Sequence, residues 1–408
     1  MEPDRLNLRH LRAFCEAAAL GSISRAAEEV HLSQPAVTQA IAKLETLLDT
    51  VLFDRTADGL HLTETGKLFL LRAKRALGHI ADGARPTARR GAGPAANFER
   101  RVTAAQLRAL LAVSKTGNFS IAARSLGMSQ SALYRTARSL EKDAGVPLFE
   151  VVSQGVVLTR AADRLARHAG LAFGELAQGL EDVAAYNGRD TARITLGTLP
   201  LARTYVLPRA ITAFLEERPD AYISVVDGPY ESLLQALRHG EIDMLIGALR
   251  EPDVIADVEQ RALFEDRLEL VARPDHPLAG RWDLTLEALS DYTWIVPRPG
   301  APTRDKFDEM FDGRGDLRPT HIVEASSLIL IRGVLTESDA VALISAHQVR
   351  HEVSLDILTR LNFRVPSAPR RIGLSLRRGW RPTASQKRMI ELLVEAGTEV
   401  AVRYPGAH

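Results

Sequence analysis

A single cysteine, Cys15, occurs in 408 residues. That excludes an internal disulfide and any multi-thiolate metal cluster, and it suits a reducing compartment, so the cytoplasm is expected. Aromatic side chains make up only 5% of the chain, and no apolar run is long enough to span a bilayer. The first residues, MEPDRLNLRHLRAF, are charged and turn amphipathic at once, without the apolar stretch of a secretory signal. Also missing are a Walker loop, an HExxH and a GxSxG, so no common catalytic signature is on offer and an enzyme is not expected. His347 and His351 stand at metal-ligand spacing for a helix, but only Glu352 accompanies them, so a surface pair is expected and no metal or cofactor is predicted. Cys15 falls in an apolar helical stripe and reads as a small core residue.

What is present is ordinary globular material, with 46% hydrophobic and 25% charged residues. The length implies roughly two to four domains. The net charge of +1 hides a gradient. Lys and Arg number 13 against 11 Asp and Glu over 1–90, 12 against 9 over 91–190, and 27 against 31 beyond. The mild excess of positive charge lies in the first half.

That half contains a repeat. ISRAAEEVHLSQPAVTQAIAKLE, from Ile23 to Glu45, returns 96 positions later as FSIAARSLGMSQSALYRTARSLE, from Phe119 to Glu141. Ahead of the first copy, Leu8, Leu11, Phe14 and Ala18 mark a helix that Gly21 ends. Ser24 is a fitting cap for a second helix, and a break follows at His31-Leu32. Ser33 caps a third, with Pro35 in its first turn and Val37, Ile41, Leu44 and Leu48 inward. LFDRTADGLHLT then reads as a hairpin turning at Asp58-Gly59. This is a winged helix-turn-helix, whose third helix fits a major groove. Gln34, Thr38 and Gln39 are the candidate base readers, with Ser33 and Pro35 at the helix start. Lys43 and the wing residue Arg55 are candidates for phosphate.

The stretch LRHLRAFCEAAALGSISRAAEEVHLSQPAVTQAIAKLETLLDTVLFDRTADGLHLTETG closely resembles the DNA-binding domain of LysR-type transcriptional regulators. The likeness is carried by the Ala-Ala pair, Ser-Gln-Pro-Ala, Leu-Glu, Leu-Phe-x-Arg and Thr-x-x-Gly. It implies double-stranded promoter DNA as partner, self-association as a dimer or tetramer, and RNA polymerase as a further candidate contact.

Members of that family ordinarily have one such domain, so the second copy is a departure. It repeats the buried stripe as Leu133, Ala137, Leu140 and Ala144, and exposes Ser131, Arg135, Arg138 and Lys142, with Tyr134 on a flank. Ser129, Gln130, Tyr134, Arg135, Arg138 and Lys142 are its candidate DNA contacts. LFEVVSQGVVLT repeats the hairpin with a Gln154-Gly155 turn, but Val151 replaces the wing arginine and Ala162 the closing glycine. A purely structural or dimerising role for this copy is the competing reading. The segment that follows offers Leu165, Ala169, Phe173, Leu176 and Leu180 as a helical seam. The family likeness implies that such a helix pairs with its equivalent; packing on its own wing domain is the alternative.

From Arg193 onward, strands alternate with helices, the pattern of parallel-sheet βαβ units. Two such lobes joined by two crossings are expected, because RRIGLSLRR returns the chain to the first lobe. The resemblance extends here to the LysR effector domain, and TWIVPRPGAPTRDKF and EASSLILIRGVLTESDAVALISAHQVRHEV resemble the subgroup named for regulation of a galactose-binding protein. It implies a small-molecule effector, a sugar or organic acid, in a cleft lined by Thr198, Leu199, Gly247, Thr303, Arg304, Ser326 and Ser327. Ordinary helix capping is the competing role for the Thr and Ser residues.

The expected fold is thus an α/β multidomain chain: two winged helix-turn-helix domains, then a two-lobed effector-binding domain of periplasmic-binding-protein type. The expected limits are 1–84 for the first winged domain, 85–100 for a linker and 101–162 for the second. A linker or dimerisation helix takes 163–190 and the effector domain 191–404. The expected function is a ligand-responsive DNA-binding transcriptional regulator. The rival is a solute-binding protein or enzyme on the same two-lobed scaffold, with the second winged helix purely structural.

Overall fold

A computed structural model of the chain describes residues 6–57, 59–85, 98–153, 155–189, 192–250, 255–366 and 369–403, with the side chains of Arg55 and 401–403 excepted. Asp58, Gln154 and most of the 85–100 linker therefore lie outside the described residues, as does the Arg55 side chain. The chain divides into two compact units near Ala192.

In the first unit one motif is built twice. Helices α1 (Leu8–Leu20), α2 (Ile23–Glu29) and α3 (Gln34–Leu48) lead into a hairpin of β1 (Phe53–Thr56) and β2 (Gly59–Leu62), then α4 (Glu64–Ala84). After a single turn, α5 (Phe98–Arg101), the order recurs as α6 (Ala104–Thr116), α7 (Phe119–Ser125), α8 (Gln130–Ala144), β3 (Phe149–Val152), β4 (Gly155–Leu158) and α9 (Arg160–Tyr186). Both hairpins are antiparallel, in matching register.

Local chemistry explains the breaks. Gly21 and Gly117 end α1 and α6 in the left-handed conformation, at φ 60° and 59°. The cap of α2 is Ser22 rather than Ser24: its hydroxyl accepts from the Arg25 amide, so the helix starts two residues sooner than the spacing suggests. The tight turn before the third helix needs a left-handed residue, supplied by His31 (φ 54°) in one copy and Gly127 (φ 63°) in the other. Ser33 and Ser129 cap α3 and α8 through the Ala36 and Ala132 amides.

The inward stripe Val37, Ile41, Leu44 and Leu48 is buried, as is Leu133, Ala137, Leu140 and Ala144. Residues of both copies, from Leu6 to Val183, belong to one continuous apolar core. The helices α4 and α9 join them. The seam residues Leu165, Ala169, Phe173 and Leu176 are buried there. Since α9 is a single helix of 27 residues, the expected limit between 162 and 163 cuts its first turn.

In the second unit, the first lobe holds β5 (Arg193–Thr198), α10 (Val206–Glu217), β6 (Tyr222–Asp227), α11 (Tyr230–Arg238), β7 (Met244–Ala248) and β8 (Val258–Asp266). The chain then enters the second lobe with β9 (Leu268–Ala272), α12 (Leu286–Ser290), β10 (Trp294–Val296), α13 (Pro302–Met310), β11 (Ile322–Glu324), α14 (Leu328–Thr336), β12 (Val341–Ser345), α15 (Arg350–Ser354) and β13 (Thr359–Arg360). It returns through β14 (Arg370–Arg377) and ends in α16 (Ala384–Arg403). The strand orders are β6-β5-β7-β14-β8 and β11-β10-β12-β9-β13. Each sheet is parallel among its βαβ strands and antiparallel where a strand arrives across the junction, β14 against β7 and β9 against β12. The lobes are thus mixed sheets rather than wholly parallel ones. Among the described residues no helix is long and apolar enough to cross a membrane.

Candidate functional site

The face of α3 opposite the core is open. Gln34, Pro35, Gln39, Ala42, Lys43 and Thr46 are exposed, while Thr38 is half-buried and its hydroxyl donates to the Gln34 carbonyl at 3.1 Å. Thr38 therefore has acceptor capacity left but has spent its proton, whereas the two glutamine side chains stand open beside it. Ser33 is exposed, with its hydroxyl engaged in the cap.

On α8 the matched face presents Gln130, Ser131, Tyr134, Arg135, Arg138 and Lys142, all exposed. Arg138 is the constrained member. Its guanidinium pairs with Glu141 and lies 4.9 Å from the centre of the Tyr134 ring. Tyr134 and Glu141 together raise its pKa. Among the described residues Arg135 and Lys142 show no such intrahelical ion pair, and both stand exposed. Ser129 is exposed and caps the helix.

The sequence reading assigned no role to the glutamates of the two Leu-Glu pairs. Glu45 Oε1 accepts from the Leu52 amide at 2.8 Å, and Glu141 Oε1 accepts from the Leu148 and Phe149 amides at 2.9 and 3.1 Å. Each carboxylate pins the start of the wing to the reading helix. Their recurrence at matched positions was the available signal. The wings themselves differ: Val151, Val152 and Val157 are exposed on the second, Val151 at 72%.

Cys15 is buried, and burial pushes its thiol up to about 12. Such a thiol is protonated and inert at neutral pH.

In the second unit, Thr198 ends β5 and is fully buried, and the Leu199 amide donates to the Ile246 carbonyl at 2.9 Å. A Cβ on Gly247 would fall 2.6 Å from the Leu199 side chain, so this glycine allows the strand and the following turn to meet. Thr303 lies in the first turn of α13, whose cap position is Ala301, and its hydroxyl accepts from Arg370 Nη1 at 2.6 Å. Ser327 occupies the cap position of α14 without a side-chain cap bond, and Ser326 is exposed beside it. Capping therefore does not account for the Thr303 and Ser327 hydroxyls.

Arg304 does not stand open. It reaches Glu324 at 2.8 Å and Asp308 at 3.1 Å, with the side chain 12% exposed. These carboxylates occupy the fork that was expected to hold a ligand acid.

Two residues not anticipated complete the junction between the lobes. Asp266, fully buried, accepts from Ser345 Oγ at 2.6 Å and pairs with Arg370. Arg370 in turn holds Thr303, and its Nε is buried without a hydrogen-bond partner among the described residues. Single charges in an alternating strand carry no signal of this kind. His347 lies in a turn ahead of α15, so it does not share a helix with His351.

Comparison with known proteins adds independent findings. The model of the bacterial regulatory helix-turn-helix protein, LysR family, matches residues 8–67 and again 104–163, and that of the LysR substrate binding domain matches 187–398. The HTH-type transcriptional regulator GalR of Pseudomonas putida is 35% identical over 374 residues, 91% of this chain and 93% of that protein. A probable hydrogen peroxide-inducible genes activator of Mycobacterium avium is 33% identical over 67% of this chain and 88% of its own. Among solved structures, full-length LysG of Corynebacterium glutamicum with bound effector Arg aligns with a TM-score of 0.52 at 18% identity, covering 72% of this chain and 97% of that one. At that identity the likeness is one of fold.

Proposed function

The chain belongs to the LysR family of bacterial helix-turn-helix regulators, and from that premise we propose which of its residues do the work. It is a transcriptional regulator with DNA-binding winged helices and a ligand-binding substrate domain. In our reading Gln34 and Gln39, assisted by Thr38, meet base edges from α3. Lys43 and Arg55 meet phosphates; on α8 Lys142 does so and Arg135 reaches a base edge, with Gln130 and Tyr134 beside them. The observation that carries this is the division of α3: its apolar stripe is buried and its polar face, Gln34 to Thr46, stands open.

The two-lobed domain takes a small polar effector, a sugar or organic acid, near Thr198, Thr303 and Ser327. Binding shifts the balance between lobe arrangements and so the placement of the winged helices on promoter DNA. A coupling of about 1–3 kcal/mol suffices for such control. A promoter-bound regulator acts on RNA polymerase by touching it or by governing its access, and the work is cytoplasmic.

The test is titration of the full chain with duplex DNA at several salt concentrations. Retention that weakens steeply with salt is the expected result. No retention at near-physiological ionic strength, with or without sugars and organic acids, overturns the reading.

A further inference from the structure

The two copies meet through α4 and α9, and the way they meet is symmetric. A Cβ built on Gly179 falls 2.9 Å from Arg72 Cβ and 3.3 Å from the Phe69 ring. A Cβ built on Gly83 falls 2.8 Å from His168 Cβ and 3.3 Å from the Leu165 side chain. Gly83 and Gly179, Phe69 and Leu165, and Arg72 and His168 are each 96 positions apart, the period of the repeat. Each contact therefore has its mate under exchange of the copies. The helices run antiparallel about a local twofold, and the equivalent residues Ala76 and Ala172, both fully buried, sit midway.

The chemistry breaks that symmetry. At one end Arg72 Nη1 lies 3.0 Å from Glu175, with Gln178 at 2.7 Å and Asp182 at 2.8 Å from the same guanidinium. At the other end the matched positions are His168 and His79, with ring centres 6.0 Å apart and His168 Nδ1 buried without a partner among the described residues. If α4 met another α4, Arg72 would face His79 instead of Glu175. The buried ion pair forms only between unlike copies. Twelve residues separate Arg85 from Phe98, and so short a tether gives an effective concentration in the millimolar range, far above that of a second chain.

We propose that the two copies form one reading head within a single chain, which carries two unlike readers for two unlike half-sites of one duplex. This rests on the DNA-binding reading above. The unlikeness is specific. Gln39 on α3 and Arg135 on α8 occupy matched positions and both are exposed. Glutamine suits adenine and arginine suits guanine in the major groove. Thr38 corresponds to Tyr134 and Ala42 to Arg138, so these three outward positions differ, whereas Gln34 and Gln130 match.

The architecture is tested by cross-linking the full chain carrying Cys15→Ala, Gly83→Cys and His168→Cys. The 2.8 Å approach is within about 1 Å of the usual disulfide Cβ spacing of about 3.8 Å. Mild oxidation gives a cross-linked band of single-chain mass on a non-reducing gel. A band of twice that mass, or no cross-link in folded protein, overturns the proposal. If this variant does not fold, charge reversal decides. Arg72→Glu and Glu175→Arg placed in one chain restore the thermal midpoint lost by either alone. Restoration on mixing the two singly substituted chains, or none within one chain, counts against it.

The half-sites are tested by selection from a random-sequence duplex pool. Gln39→Ala alters one half of the selected motif and Arg135→Ala the other. A motif in which every half responds to Gln39→Ala and none to Arg135→Ala removes the second reader. Failure of any duplex to be retained, beside a single-chain cross-link, sinks the DNA reading and not the intrachain pairing.

Discussion

Arg72 and Glu175 face each other between α4 and α9 with side chains only 4% and 5% exposed. Their net worth against a pair of apolar residues is small, because each ion gave up its hydration, but removing one alone strands the other. Arg72→Ala is expected to cost about 3–5 kcal/mol in the first unit, towards the lower figure because Arg75 also reaches Glu175, at 2.7 Å. Urea unfolding of the full chain, followed by a probe in each unit, reads this as an early transition confined to the first. A loss under about 1 kcal/mol would show that the buried pair does not hold the copies together.

The opposite end of the same helix pair is pH-sensitive. Burial, then the nearby His79 and Arg167, push the His168 imidazole down to about 4, with Asp82 opposing and Arg164 assisting. In the unfolded chain it titrates near its ordinary value of about 6.5. Between those values the unfolded state binds a proton that the folded state refuses, so stability is full above about 6.5 and falls as the pH drops towards 4. The first unit should therefore melt at a lower temperature at pH 5 than at pH 7, and His168→Gln should reduce that difference. An equal difference in the variant assigns the acid sensitivity to other groups.

Much of this was legible because periodicity and capping are local. Val37, Ile41, Leu44 and Leu48 declare an inward stripe whatever the rest of the chain does, and the second copy declares itself by the same spacing. The α4–α9 pairing was not legible. Gly83 and Gly179 look like helix weaknesses until each is seen to admit the opposite helix. Arg304 reads as a ligand clamp in the sequence because Glu324 lies 20 positions away, on strand β11. Asp266 and Arg370 are separated by 104 positions and meet only through the register of β8 and β14.

The pinned wing gives a third expectation. Leu52 is fully buried, and its amide has Glu45 Oε1 as acceptor at 2.8 Å. Glu45→Ala leaves that donor without its charged partner, at a cost of about 1–3 kcal/mol. The wing is then held less firmly against α3, so duplex affinity should fall although no DNA-facing group has changed. Amide exchange at Leu52 is the direct measurement. Unchanged protection there would mean that the hairpin holds its place without the carboxylate.

The cations proposed as DNA contacts on α8 differ in freedom, and salt dependence separates them. Arg135 is exposed without an intrahelical ion pair, whereas Arg138 is held by Glu141 and Tyr134. If Arg135 meets a phosphate as well as a base edge, Arg135→Ala lowers the slope of log K against log salt by about 1. Arg138→Ala changes it less, because that cation is already partly neutralised. Equal slopes in wild type and Arg135→Ala would place this residue off the DNA backbone, and an unchanged affinity would take it off the duplex altogether.

At the junction of the lobes the order of two losses is predicted. Asp266 is fully buried and is the common acceptor for Arg370 and the Ser345 hydroxyl, so Asp266→Ala strands a half-buried guanidinium. That should cost about 3–5 kcal/mol in the second unit. Thr303→Val removes only the 2.6 Å bond from Arg370 Nη1, and Arg370 keeps Asp266, so the cost is about 1 kcal/mol. Yet Thr303 sits on α13 of the second lobe and Arg370 on β14 of the first, so this small loss falls on the balance between lobe arrangements. Thermal shifts of wild type and Thr303→Val against a panel of sugars and organic acids should then differ for any compound that stabilises the wild type. Two variants of equal stability, or identical shifts across the panel, would show that the Asp266–Arg370–Thr303 chain is not where the lobes are set.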